Sequence, residues 1–182
     1  MINIYKFNAP LFQKKLCNEE QIKNLLQLIN EIPKTSYAKI SHTDWELAKD
    51  TERKYARYFY DDVVKEYMEE LANFHLCKNG VVHNIWFQQY YTNDEHPWHT
   101  HISTNYTNVV YLELPNNTET QILDPISKKI ISNIKVNEGD VLTFPGFLLH
   151  RSAENKTTKR KTIISFNSSF TDIKNEEIKK YA

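Results

Sequence analysis

The chain has 182 residues, 40% of them hydrophobic, which suits one domain with a sizeable core. Lysine plus arginine and aspartate plus glutamate number 23 each, so the net charge is +0 and no like-charge block marks a nucleic-acid or membrane footprint. No apolar run is long enough to span a bilayer and no secretory apolar region opens the sequence, so the cytoplasm is the expected compartment.

Residues 2–7 alternate apolar and polar and suggest a short strand. Asn18-Glu19-Glu20-Gln21 reads as a capping box, followed by Ile22, Leu25, Leu26, Leu28 and Ile29 at helical spacing and ended by Pro33. Thr43-Asp44-Trp45-Glu46 reads as a second capping box. From there to about Leu76 the pattern is helical, with Tyr55, Phe59, Val63, Tyr67 and Leu71 on one face. A break near Tyr60-Asp61-Asp62 divides it, with Asp61 or Asp62 as the second cap. Cys17 and Cys77 form no metal-binding spacing and read as small apolar residues.

After Lys78-Asn79-Gly80, read as a turn, the character changes to short strands. They are expected over Val81–Tyr91, Thr107–Leu114, Thr120–Leu123, Lys129–Val136, Val141–His150 and Lys161–Phe170, with turns at Asn93-Asp94-Glu95 and Asn137-Glu138-Gly139-Asp140. A charged tail, Thr171–Ala182, suggests a frayed helix. Helices gathered ahead of an antiparallel sheet predict an α+β fold: N-terminal helices packed on a jelly-roll core. The expected layout is one domain over 1–182, with supporting helices in 1–77, the core in 78–170 and the tail in 171–182.

The chemistry points to His99-Thr100-His101 and His150. Side chains two residues apart on an extended segment project the same way. His150 follows a Gly139-Asp140 corner and an apolar run. Three convergent neutral imidazoles can hold a first-row transition metal and leave positions open. Asn84, Gln88 and Tyr90 alternate on one face of the preceding strand and point toward the same interior. His42, His75 and His83 read as ordinary surface or packing histidines.

Tyr90–Leu112 and Asn137–Asn167 resemble the double-stranded β-helix core of the iron(II)/2-oxoglutarate-dependent oxygenases, as found in uncharacterised bacterial and phage members. The resemblance rests on His96-Pro97-Trp98-His99-Thr100-His101, Val109-Val110-Tyr111-Leu112, Gly139 to Pro145, His150, Glu154-Asn155 and Arg160 to Asn167. It implies Fe(II), 2-oxoglutarate and O2 as cofactors, with His99 and His150 as ligands and oxidative decarboxylation coupled to hydroxylation. His101 stands where the family at large has Asp or Glu, and Asp94 and Glu95 are the other carboxylates nearby. The family's cation for the far carboxylate falls at Arg160, slightly preferred for its fork and its Arg-x-Thr pairing with Thr162, or at Lys161. Tyr111 and Tyr90 complete the expected oxoacid site; His96, Trp98, Asn84, Gln88 and Asn167 are expected near substrate or behind the ligands. The implied substrate is a small molecule or peptide-like group, and a homodimer through the helices is a further expectation. Two alternatives stay open: a three-histidine cupin-type dioxygenase without the oxoacid, and a non-catalytic jelly-roll binding module.

Overall fold

The computed structural model of the chain describes residues 9–33, 35–37 (backbone), 40–116, 118–132 and 134–181; the strand expected over residues 2–7 lies outside them. Asn18 begins α1 (Glu19–Asn30) as its sequence dictates: its side chain accepts from the Gln21 N–H at 2.9 Å, and the Gln21 side chain accepts from the Asn18 N–H at 3.0 Å. Leu25 and Ile29, one turn apart, are fully buried.

The second expected capping box opens no helix. Thr43 ends a strand, and its hydroxyl donates to the Phe87 carbonyl at 2.7 Å. Asp44, buried, accepts from the Phe87 N–H (3.0 Å), the Tyr55 hydroxyl (2.6 Å) and Arg53 Nε (3.0 Å). Both candidate caps are thus used in tertiary contacts, and residues 44–53 form a loop. Arg53 binds that loop through the carbonyls of Asp44, Leu47 and Thr51. Asp44→Ala is expected to destabilise the fold by roughly 3–5 kcal/mol, because it takes the acceptor from two buried donors and the carboxylate from a half-buried guanidinium; the urea midpoint measures this.

The helix starts at Lys54. Between α2 (Lys54–Phe59) and α3 (Lys65–Phe74), Tyr60–Val64 forms a π-helical turn, and neither Asp61 nor Asp62 caps anything. The widened turn has a packing reason. Tyr55, Phe59, Val63, Tyr67 and Leu71 are spaced by four, which overshoots the α-helical repeat by roughly 40° per step. A wider turn takes back part of that drift, and all five stay buried.

The strands are β1 (Phe12–Lys15), β2 (Thr35–Tyr37), β3 (Ser41–Thr43), β4 (Cys77–Tyr90), β5 (His96–His99), β6 (Tyr106–Glu113), β7 (Thr120–Leu123), β8 (Ile130–Ile131), β9 (Asp140–Pro145), β10 (His150–Ser152) and β11 (Lys161–Ile173). A seven-stranded sheet has the order β1-β9-β6-β11-β4-β3-β2, and a four-stranded sheet the order β5-β10-β7-β8. All the pairings are antiparallel. The tail carries α4 (Asn175–Ile178).

Four boundaries differ from the sequence reading, the last strand among them: β11 runs on to Ile173, so Thr171–Ile173, expected in the tail, pairs with β4. Lys78-Asn79-Gly80 is strand, not turn, because Asn79 and Gly80 pair with Thr171 and Phe170; the reversal comes at Leu76, with φ of 52°. Of the described residues in Lys129–Val136, only Ile130 and Ile131 pair. The Val141–His150 run breaks after Pro145 into a turn, so His150 opens a strand of the other sheet.

Strand alternation sorts the core into two layers. Phe87, Val110, Leu112, Ile164 and Phe166 face the helices and pack with Leu25, Phe59 and Tyr67. Tyr90, Val109, Tyr111, Leu142, Phe144 and Ile163 face the smaller sheet and pack with Ile122 and Leu148. At the corner into β9, Gly139 has φ of 84°, and a Cβ there would lie 2.4 Å from the Cys17 carbonyl. That carbon would break the junction in which Gly139 O accepts from Leu16 and Cys17 N–H. Among the described residues no helix is long and apolar enough to cross a membrane.

Candidate metal centre and cleft

His99 and His150 are directly paired residues of adjacent strands, with ring centroids 4.2 Å apart. His101 lies just beyond β5 and is held by its N–H, which donates to Gly146 O at 2.9 Å. Its ring lies 5.2 Å from that of His99 and 5.1 Å from that of His150. One ligand atom from each of the three lies within 4.8 Å of the others.

Each ring is oriented by its Nδ1. In His99 this atom bonds the Pro97 carbonyl (2.8 Å), in His150 the Leu148 carbonyl (2.9 Å), and in His101 the Asn167 Oδ1 (2.7 Å). A carbonyl can only accept, so Nδ1 carries the proton in His99 and His150, and Nε2 keeps its lone pair. Burial holds all three imidazoles below their ordinary pKa, His150 down to about 3, and for His101 and His150 repulsion from the neighbouring imidazoles adds to this. The rings are neutral near pH 7, as metal ligation requires. The donor set therefore fits a transition metal such as Fe, Zn or Ni. Asp94 instead accepts from the Tyr91 N–H at 2.7 Å, and Glu95 lines a separate cleft, so neither joins the cluster.

Deeper between the sheets lies Lys161, 1% exposed. Its Nζ donates to the Thr118 carbonyl and to Ser152 Oγ (2.8 Å), which leaves one N–H unspent. Tyr90 and Tyr111 flank it, with Nζ 5.2 Å and 6.0 Å from their ring centroids. No carboxylate pairs with it among the described residues, and burial drops its pKa to about 7. Ser152, which takes this ammonium's bond, lies two residues along β10 from His150, a backbone spacing of roughly 6.6 Å.

Arg160 faces the other way. Its guanidinium grips Glu113 with two bonds (2.7 and 3.0 Å) and reaches Asn30 at 3.1 Å. The Thr162 hydroxyl donates to the same Glu113. Adjacent strand residues point to opposite faces, so the preference for Arg160 and Thr162 as oxoacid partners is corrected: their face belongs to the helix layer.

A cleft of about 620 Å³ opens beside the histidines, lined by Trp45, Trp86, Asn84, Gln88, His96 and Ile102 among others. Asn84, Gln88 and Tyr90 share the face expected of them, Tyr90 fully buried behind the first two. Asn167 stands behind His101, as expected. Trp98 departs from expectation: it lies under the Arg151 guanidinium, 4.9 Å from its ring centroid, and does not line the cleft. Trp86, stacked 5.8 Å from His101, went unnoticed in the sequence although it has the same parity as Asn84 and Gln88. Trp45, on the loop held by Asp44, and Ser152 and Thr118 beside Lys161 carry no comparable sequence signal.

The sequence matches no family model and no curated protein. Solved structures do match. The viral collagen prolyl hydroxylase vCPH from Paramecium Bursaria Chlorella virus-1, in complex with 2OG, is 14% identical, with a TM-score of 0.60 over 89% of this chain and 96% of that one. HygX from Streptomyces hygroscopicus, with nickel, 2-oxoglutarate and hygromycin B bound, is 12% identical, with a TM-score of 0.65 over 90% and 84%. The non-heme alpha ketoglutarate dependent epimerase SnoN from nogalamycin biosynthesis is 11% identical, with a TM-score of 0.66 over 89% and 78%. This chain has the double-stranded β-helix fold of the 2-oxoglutarate/iron oxygenases, with three histidines gathered at its mouth.

Proposed function

We propose that the protein is an Fe(II)- and 2-oxoglutarate-dependent oxygenase that hydroxylates a small-molecule or peptide-like substrate in the cytoplasm, as a single domain whose helices support the barrel. His99, His101 and His150 would hold the iron, and Lys161 would anchor the far carboxylate of 2-oxoglutarate. The observation that carries this reading is Lys161. A buried ammonium is costly, and a cation left without a carboxylate beside a metal-type cluster marks a place for an anionic ligand. The two-residue offset along β10 between His150 and Ser152, which binds the ammonium, suits a five-carbon dicarboxylate held at both ends. The same lysine disfavours a cupin-type dioxygenase, which needs no such cation.

Iron(II) with the oxoacid and O2 supplies oxidative decarboxylation to succinate and CO2 coupled to oxidation of a substrate C–H bond. The chain's own part is positional. The Pro97 and Leu148 carbonyls and Asn167 fix the three imidazoles. Lys161 neutralises the oxoacid carboxylate with its free N–H, while Tyr90 and Tyr111 exclude water around it. Three neutral histidines leave the metal's charge to be balanced by the oxoacid rather than by a protein carboxylate.

Calorimetry of 2-oxoglutarate binding, with and without nickel as an inert metal, tests this. Binding only to the nickel-loaded protein supports the reading; metal binding with no oxoacid binding sinks it. Asn167→Ala is expected to weaken nickel binding by roughly 10–100-fold, because it frees the His101 ring, which the same calorimeter reads.

A further inference from the structure

Two hydrogen-bond chains run from the site into the cleft, and each has a polarity set at its buried end. The first starts at Lys161, whose ammonium can only donate. It donates to Ser152 Oγ, and the Ser152 hydroxyl bonds the Tyr90 phenol. The Tyr90 hydroxyl then donates to Gln88 Oε1 at 2.7 Å, and Gln88 Nε2 to His96 Nδ1 at 2.9 Å. His96 therefore carries its proton on Nε2, the opposite tautomer to His99 and His150. It presents an N–H donor at the cleft wall.

The second chain starts at His101. With Nε2 given to a metal, His101 donates through Nδ1 to Asn167 Oδ1 (2.7 Å). Asn167 Nδ2 must then donate to Asn84 Oδ1 at 3.0 Å. The group that Asn84 has left is its own amide N–H, again a donor.

Around these donors most of the exposed surface is apolar, given by Ile40, Trp45, Trp86 and Ile102, with the hydroxyls of Ser41, Thr43, Thr100 and Ser103 among them. Trp45, 56% exposed, meets Trp86 edge-on at 5.0 Å, and Trp86 stacks on His101. No aspartate, glutamate, lysine or arginine lines the cleft among the described residues. A charged substrate would lose hydration there without a partner. A sugar would bring as many O–H donors as acceptors, whereas the two groups whose orientation the chains fix, Asn84 and His96, both donate.

We propose that the substrate is uncharged and carries a flat conjugated ring bearing a hydrogen-bond acceptor, with the ring against Trp45 and Trp86 and the acceptor facing Asn84 and His96. This rests on the oxygenase reading, because the metal fixes the second chain's polarity.

The test is saturation-transfer NMR on protein loaded with zinc and 2-oxoglutarate. The probes are quinoline (flat, neutral, acceptor), indole (flat, neutral, donor only), a quinoline carboxylate and methyl glucoside. Quinoline should bind about fivefold more tightly than indole, the worth of one hydrogen bond, and the other two more weakly still. Trp45→Ala should lose quinoline. Asn84→Asp keeps its acceptor for Asn167 but turns the cleft-facing donor into an acceptor, so it should reverse the quinoline-to-indole preference. Equal or better binding of indole, the carboxylate or the glucoside overturns the proposal, as does the absence of any probe signal from a protein that holds 2-oxoglutarate. Failure to hold 2-oxoglutarate, read from its own resonances in the same sample, instead overturns the oxygenase reading.

Discussion

Lys161→Met is expected to abolish 2-oxoglutarate binding to the metal-loaded protein and, at the same time, to raise the melting temperature of the metal-free protein. The first effect follows from removing the cation that the oxoacid's far carboxylate would meet between Tyr90 and Tyr111. The second follows from linkage. Burial lowers the Lys161 pKa from 10.5 to about 7, so between these values the unfolded chain binds a proton that the folded chain does not. Stability attributable to this residue therefore rises with pH across that window, and below about pH 7 its full burial cost is present. An apolar side chain of similar length removes that cost, and each kcal/mol recovered is worth about 2–4 °C in a chain of this size. Oxoacid affinity has the opposite pH dependence: it weakens as pH rises through about 7, because the ammonium loses its charge, and Lys161→Arg should flatten that profile. Thermal melts and calorimetry from pH 6 to 9 read both. A melting point that falls in Lys161→Met, with oxoacid binding intact, contradicts the assignment.

His150→Ala is expected to weaken nickel binding on the order of a hundredfold or more, since one of three ligands is lost. His83→Ala is its control: His83 also borders the cleft, but it bonds Ser169 and takes no part in the cluster, so the metal should stay. The depressed pKa values of the ligands give a second readout. Protons compete for an ordinary imidazole below about pH 6.5, yet these rings stay neutral further down, so acid should weaken nickel affinity only at a lower pH than it would for ordinary imidazoles. The metal-free fold should lose stability below about pH 6.5, where the unfolded chain takes up protons that the buried rings refuse.

The site was legible where a short period forces side chains together. His99 and His101 converge with His150, although His101 lies past the strand end and is held by Gly146 O rather than by strand geometry. The choice between Arg160 and Lys161 could not be made from spacing, because it depends on which face of β11 meets the helices. The Glu113 that takes Arg160 lies across the sheet, invisible along the chain. Parity groups Lys161 with Ser165 and Asn167, and it is Lys161 whose side chain lies buried between the sheets. The helical part was legible by period but not by boundary. Thr43 and Asp44 had the right side chains for a cap, and Arg53 and Tyr55, 9 and 11 residues on from Asp44, and the more distant Phe87 took them instead. Trp45 reaches the cleft as a consequence of that capture.

The most direct measurement is an anaerobic titration of the metal-free protein with Fe(II) and then 2-oxoglutarate, followed by its visible spectrum. A charge-transfer band should appear only when both are present and be lost in Lys161→Met and in His150→Ala. Iron binding with no band on adding the oxoacid would contradict the oxygenase reading and leave three histidines without the co-substrate that Lys161 implies.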